Sequence, residues 1–311
     1  MNNANAANRL ARRLKMRDLE IVANIGQTRN LSQTASMMAM TQPALSKWLK
    51  ELETLMGMPL FNRTTRRLVP TEAGFIVMDH AGRILGDLAR VTGDLEALRS
   101  GLGSVVRVGA PSAVAAVVIP RAVSYMLGQG SRHQVQLQED TVDQLMPRLF
   151  RRELDVVLGR LDAKLLNAGC CHERLFDGPV CVVAGPKHPL SARRTVTWKD
   201  TAAYPWILPP AGSPMRQSLE DAFAQAGLAT PAACMSSSST LVNKAIAQDS
   251  ECLFVASLQI ARELERTGAL KALPLLLPGL PLGIGMLWAD TVTPPVATFM
   301  DALRFSASQL S

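Results

Sequence analysis

Apolar residues recur at three- and four-residue spacing near the start of this 311-residue chain, in two short segments, residues 32–40 and 41–55. Ser32 and Thr41 have side-chain oxygens that can cap a first helical turn, and Pro43 is tolerated within that turn. The pattern therefore predicts two capped helices joined by a sharp break. The second helix would bury one stripe, formed by Leu45, Trp48, Leu49, Leu52 and Leu55.

The opposite face of the second helix is polar and has side chains that can bond base edges and phosphates. Such a face is typical of a recognition helix that enters a major groove. From the two helices and the basic stretch after them we predict DNA contacts at Ser32, Gln33, Thr41, Gln42, Pro43, Ala44, Ser46, Lys47, Lys50, Arg63, Arg66 and Arg67.

The stretch after the second helix predicts a wing. Gly57 would end the helix in a left-handed cap, and residues 59–61 then extend the chain. A basic ribbon follows at residues 62–68, and Thr71 can cap another helix. Two capped helices followed by a basic hairpin predict a winged helix-turn-helix, whose wing would lie along the DNA backbone.

Residues 32–74 resemble the DNA-binding segment of LysR-type transcriptional regulators. The likeness is specific because its spacing continues through wing and linker, and the order of segments extends it over nearly the whole chain. It implies a regulator of transcription that binds double-stranded DNA and a small-molecule effector, forms a homodimer and then a homotetramer, and has RNA polymerase as a further candidate partner. The residues that carry the likeness are Ala35, the run from Thr41 to Lys47, Leu52, Glu53, Phe61, Arg63, Arg66, Thr71, Ala73 and Gly74.

A long helix over residues 71–100 shows the a/d spacing of a coiled-coil seam. We favour self-association over packing within the chain, because a helix lying on its own core would show a wider stripe. Gly82, Gly86 and Gly93 lower its helix propensity. The predicted dimer seam consists of Val77, Ala81, Ile84, Leu88, Val91, Leu95 and Leu98.

Strand and helix patterns alternate after a hinge at residues 101–103, which predicts parallel sheets. Two such sets resemble the two lobes of a periplasmic-binding-protein fold, which is also the effector domain of LysR-type regulators. The predicted fold class is α/β, with a winged helix-turn-helix (residues 1–71), a linker helix (72–103) and an effector domain (104–311). Lobe I would comprise 104–177 and 282–311, and lobe II 178–281.

Four hydroxyl residues precede predicted helices on the two lobes, where loop amides and helix starts converge at strand ends. The resemblance places the corresponding family positions around the inducer, so we predict effector contacts at Ser112, Thr141, Ser213 and Ser239. Each has an alternative role as a plain helix N-cap. The chemistry of a hydroxyl does not choose among carboxylates, sugars and aromatic acids.

The net charge of +7 is concentrated at one end of the chain. Residues 1–71 hold 11 Lys and Arg against 4 Asp and Glu, whereas residues 72–311 hold 22 of each. The excess matches a domain that neutralises phosphates. A membrane-binding patch is the rival, but it would need an exposed apolar face. Residues 1–15 end in a basic arm that suits either a DNA groove or a solubilising tail.

Candidate catalytic chemistry is sparse. Cys170, Cys171 and His172 form the one suggestive cluster, yet adjacent residues on an extended chain point to opposite faces. No nucleotide-binding, zinc-protease or serine-hydrolase motif occurs, so we predict no catalytic residue, no metal and no cofactor. The rival function is a cytoplasmic solute-binding or enzyme module with a basic head. The five scattered cysteines, the polar N-terminus and the lack of a spanning run predict a cytoplasmic protein without membrane contact.

Overall fold

The computed structural model describes residues 12–63, 68–101, 103–280, 283–289 and 291–310. Its internal contacts divide the chain into two units. One unit runs through Val105 and also takes in Met146–Leu154, and the other contains Val106–Leu145 and the chain from Asp155 onward. The segment Met146–Leu154, which lies inside the predicted effector domain, belongs with the N-terminal unit in this division.

The N-terminal head is a three-helix core with a two-stranded wing. Its buried residues come from the predicted apolar stripes, with Ile25 and Leu45 fully buried. Thr41 caps the third helix by accepting a hydrogen bond from the Ala44 amide (3.3 Å), and Gly57 ends it with φ of 75°. The elements are α1 (Met16–Thr28), α2 (Leu31–Met37), α3 (Gln42–Met56), β1 (Phe61–Arg63) and β2 (Leu68–Pro70).

The start of α2 differs from the prediction. Ser32 does not cap this helix, because the helix begins at Leu31 and its N-cap is Asn30, two residues before the predicted cap. The Asn30 side chain accepts from the Gln33 amide at 3.1 Å. Asparagine and serine cap helices equally well, so the residue types alone did not decide between the two positions.

The linker helix α4 (Glu72–Arg99) begins at its predicted cap, where Thr71 accepts from the Gly74 amide at 3.0 Å. Its first half packs into the head: Ala81 is fully buried there and Val77 lies against the same core. The structure thus places these two predicted seam residues inside the head, because a helix that leaves a small core must cover that core before it extends. The remaining five seam residues are 40–73% exposed, namely Ile84, Leu88, Val91, Leu95 and Leu98.

Lobe I is built on a five-stranded mixed sheet of order β4-β3-β5-β12-β6. β3 and β5 are parallel as predicted, but β12 runs antiparallel to both β5 and β6. Helices cover this sheet and share its core. The elements are β3 (Val105–Ala110), α5 (Ser112–Gly128), β4 (Gln134–Glu139), α6 (Val142–Phe150), β5 (Val156–Arg160), α7 (Ala163–Leu166), β6 (Cys171–Asp177), β12 (Gly283–Trp288) and α12 (Pro294–Ser308).

Lobe II also departs from the predicted parallel sheet. Its strand β7 pairs antiparallel with β10 and β11, while β8 and β9 are parallel. Strand–helix alternation does not report the direction of strands that carry the chain between lobes, which explains the error. The elements are β7 (Val180–Ala184), a 3₁₀ turn (Pro189–Ala192), α8 (Trp198–Thr201), β8 (Trp206–Leu208), α9 (Pro214–Gln225), β9 (Ala233–Ser236), α10 (Thr240–Gln248), β10 (Phe254–Ser257), α11 (Leu258–Arg266) and β11 (Lys271–Leu276).

Candidate nucleic-acid interface and effector positions

The helix α3 is held rigidly by its buried face. Leu45, Leu49 and Leu52 are at most 4% exposed. The Trp48 indole donates a hydrogen bond from Nε1 to Oδ1 of Asp18 on α1, at 2.7 Å. Because a charge-assisted hydrogen bond adds direction to apolar packing, the rotation of α3 about its axis is set by the head.

The opposite face of α3 is open to solvent. Gln42, Ala44, Lys47 and Lys50 are exposed, and Ser46 is half-buried at the edge of this face. The Lys47 ammonium lies 3.9 Å from Glu51, with both side chains largely exposed, so this pair holds the lysine only weakly. Four other predicted contacts are also exposed, namely Ser32, Gln33, Thr41 and Pro43.

The wing is joined to α3 through the carboxylate of Glu53, which carries part of the family likeness but for which the sequence predicted no contact. Oε1 of Glu53 accepts hydrogen bonds from the amides of Leu60 (2.8 Å) and Phe61 (3.1 Å). The first wing strand therefore starts at a fixed point on α3. Arg63 closes that strand opposite Leu68, while Arg66 and Arg67 lie outside the described residues.

Glu53→Ala is expected to loosen the wing. The substitution removes one acceptor from two partly buried amides, a loss of about 1–3 kcal/mol. Hydrogen exchange at the Leu60 and Phe61 amides should accelerate by roughly 5- to 150-fold. Glu51→Ala, an exposed residue two positions away on the same helix, is the matched control and should leave both amides protected. Unchanged exchange in the Glu53 variant would contradict this role.

The four predicted effector residues lie in the second unit, two on each lobe. Ser213 and Ser239 cap α9 and α10 by accepting from the amides of Arg216 (3.2 Å) and Val242 (3.4 Å). Both serines therefore act as helix N-caps, which is the alternative role considered for them from the sequence. No hydrogen bond or contact described for this unit joins the pair on lobe I to the pair on lobe II.

The lobe I pair is arranged differently. Ser112 is not the N-cap of α5, which is Pro111; its hydroxyl instead donates to Oε2 of Glu139 at 3.0 Å. Thr141 precedes α6, and its carbonyl accepts the amides of Gln144 and Leu145 at 3.0 Å each. Glu139 is exposed at the end of β4, so the structure adds a carboxylate that hydroxyl spacing alone had not indicated.

The Cys170 thiol in the cysteine cluster does not have the electrostatic character of an active nucleophile. Partial burial raises the pKa of the Cys170 thiol, whereas a reactive cysteine needs a lowered pKa. Among the residues that the structure describes, no three His, Cys, Asp or Glu side chains are grouped to hold a metal. The structure also shows a thiol contact that the sequence pattern did not indicate. The sulfurs of Cys234 and Cys252 lie 3.5 Å apart.

None of the helices in the described ranges combines the length and the apolar character that crossing a membrane requires.

Two family models match this chain, and together they span most of it. Residues 16–75 match the bacterial regulatory helix-turn-helix protein of the lysR family, and residues 99–307 match the LysR substrate binding domain. The second match alone covers more than half of the chain. The chain therefore belongs to the LysR family of DNA-binding transcriptional regulators, with a helix-turn-helix head and an effector-binding domain.

Relatives and solved structures agree with this assignment. The chain is 34% identical over 272 residues to the HTH-type transcriptional regulator GalR of Pseudomonas putida, covering 87% of this chain and 68% of GalR. It is 28% identical to the HTH-type transcriptional regulator GbpR of Azospirillum brasilense, covering 95% and 87%. The fold matches that of CbnR, a LysR family regulator, with a TM-score of 0.60 at 18% identity over 94% of this chain and 99% of CbnR.

Proposed function

We propose that this LysR-type regulator reads its DNA sequence through Gln42, Ala44, Ser46 and Lys47. The observation that carries the proposal is the exposed polar face of α3 on a helix whose other face is locked in the head. Glutamine can bond an adenine edge bidentately, and lysine can reach guanine. In this assignment α3 lies in a major groove.

A second set of residues would hold phosphates without reading bases. Lys50 is exposed one turn beyond Lys47, and Arg63, Arg66 and Arg67 belong to the wing sequence. The whole net charge of the chain falls within residues 1–71, which supports this role because phosphate contacts release counterions. Ser32, Gln33, Thr41 and Pro43 lie at the two helix starts, where a backbone would pass.

The dimer is proposed to form through the exposed part of the linker helix. Ile84, Leu88, Val91, Leu95 and Leu98 share one face and leave a long apolar strip uncovered. A two-fold pairing of such helices suits a DNA site with two half-sites. The assembly of two dimers into a homotetramer, and contact with RNA polymerase, follow from the family likeness. A DNA-binding role is consistent with the cytoplasm, where we propose that the protein acts.

The effector is proposed to be a small polar molecule bound at Ser112, Thr141, Ser213 and Ser239. Glu139 beside Ser112 favours a hydrogen-bond donor on that side of the ligand. The starts of α9 and α10 favour an acceptor or an anionic group on the other side, because helix N-termini attract negative charge. A hydroxylated carboxylic acid has both kinds of group.

A thermal-shift screen of hydroxylated carboxylic acids on the intact protein tests this site. A ligand of the folded state should raise the melting temperature by mass action, by the equivalent of about 2.7 kcal/mol at 100 times its Kd. Ser112→Ala combined with Ser213→Ala should abolish the shift, measured against the variant's own melting temperature. Ser257→Ala, which removes the cap of α11, is the control and should keep it. A shift that survives the double substitution would rule out this site.

A further inference from the structure

The helix α6 connects the two units of the chain. It begins in the unit that contains Val106–Leu145 and ends in the unit of the head and linker helix, which includes Met146–Leu154. Its first residue follows Thr141, one of the proposed effector positions, and its nine residues span about 13 Å. Pro147 lies inside α6 and lacks an N–H, so the path from Thr141 to the other end runs through a short helix with one backbone hydrogen bond missing.

That other end is a tight corner formed by Arg151, Arg152 and Glu153. The amides of Arg152 and Glu153 donate to the carbonyls of Leu149 (3.0 Å) and Arg148 (2.9 Å). Arg152 has φ of 58°, a conformation that residues with a side chain rarely adopt. The corner therefore holds Arg152 in an unfavourable left-handed backbone conformation.

The corner packs against the linker helix at two glycines that lie one turn apart. A Cβ atom on Gly86 would lie 2.1 Å from the backbone oxygen of Arg151, and one on Gly82 would lie 2.6 Å from the Arg151 side chain. A backbone oxygen cannot move aside to make room for a Cβ atom, as the end of a flexible side chain can. Gly86 and Leu88 are two residues apart, about 200° around the helix, so this face is separate from the proposed dimer seam.

Polar contacts fix the register of the same corner. The Arg152 guanidinium donates from Nη1 to both carboxylate oxygens of Asp87, at 3.2 and 3.3 Å. Nε of Arg90 donates to the Arg152 carbonyl at 3.1 Å. Partly exposed ion pairs contribute little stability each, so the contact can open without unfolding either element.

We propose that Gly82 and Gly86 form a docking notch, which we call the linker notch, for the corner Arg151–Arg152–Glu153, and that its occupancy regulates DNA binding. α6 would carry a displacement from Thr141 to the notch, and the notch would pass it to the linker helix that leaves the DNA-binding head. The regulatory step rests on the proposed function, whereas the docking itself does not.

Hydrogen exchange of the intact protein tests the docking. Gly86→Ala should accelerate exchange in residues 148–153 at least about tenfold, although alanine favours the helix itself. Asp87→Asn should accelerate it about threefold. Gly128→Ala, where an added Cβ meets nothing within 4 Å, and Asp79→Asn, whose partner Arg83 lies on the same helix, are matched controls and should change nothing.

The regulatory step is tested by measuring the affinity of each variant for one DNA sequence. That sequence is first selected with the unmodified protein. Undocking by Gly86→Ala or Asp87→Asn should change that affinity at least about threefold, whereas Asp79→Asn should not. Unchanged exchange in both folded notch variants would overturn the docking; if Gly86→Ala fails to fold, Asp87→Asn decides alone. Faster exchange with unchanged affinity would overturn the regulatory step. Failure to select any DNA would count against the proposed function and leave the exchange result standing.

Discussion

Leu88→Asp is expected to break the proposed dimer into monomers. Leu88 is 47% exposed in the single chain and lies between Ile84 and Val91 on the same apolar strip. In a two-fold seam the substitution would bury a carboxylate from each copy, which costs at least about 3 kcal/mol without a partner. Sedimentation should show the halved mass. Affinity for a DNA with two half-sites should fall about 100-fold, because the second half-site is no longer linked to the first.

The control for this experiment places the same charge on another exposed leucine. Leu166 lies on α7, in the unit that does not contain the linker helix, and is 45% exposed. Leu166→Asp should leave both the mass and the DNA affinity unchanged. A Leu88→Asp protein that remains dimeric would show that the exposed strip of the linker helix is not the dimer contact.

Gln42→Ala is expected to erode sequence preference at a single base pair. Loss of one bidentate contact should reduce discrimination there by about 1–3 kcal/mol, or roughly 5- to 150-fold. Other positions of the site should keep their preference. The measurement is a selection of randomised DNA by the variant and the parent protein at the same salt concentration, since phosphate contacts make affinity depend on salt.

Lys50→Ala provides the contrasting variant on the same helix. A phosphate contact carries no sequence information, so all sequences should weaken alike and the slope of log affinity against log salt should fall by about one. Equal loss of preference in the Gln42 and Lys50 variants would contradict the division between base-reading and phosphate-holding residues.

Local structure in the head followed from short-range chemistry. Thr41 and Thr71 cap their helices and Gly57 ends one as predicted, because a cap needs only a side-chain oxygen and an amide two or three residues away. The exposed face of α3 was predictable for the same reason: helical periodicity is local. The misplaced cap of α2 shows the limit, since Asn30 and Ser32 offer the same chemistry within one turn.

Strand direction could not be predicted in this way. The alternation of strands and helices indicated two α/β lobes correctly, yet β12 in lobe I and β7 in lobe II pair antiparallel. Hydrophobic alternation along a strand is the same whichever way its neighbour runs. The direction is decided by the route of the chain between lobes, which local pattern does not contain.

The sequence by itself determined the class of protein, the polar face of α3, the basic head and the apolar strip of the linker helix, since each depends on residues close together in the chain. The tertiary structure decided which of the predicted seam residues remain exposed for dimerisation, because Ala81 is buried in the head core. It also decided the partners of Glu53, Ser112 and Gly86. Those contacts join residues 7 to 65 positions apart, where side-chain chemistry permits many partners and only packing selects one.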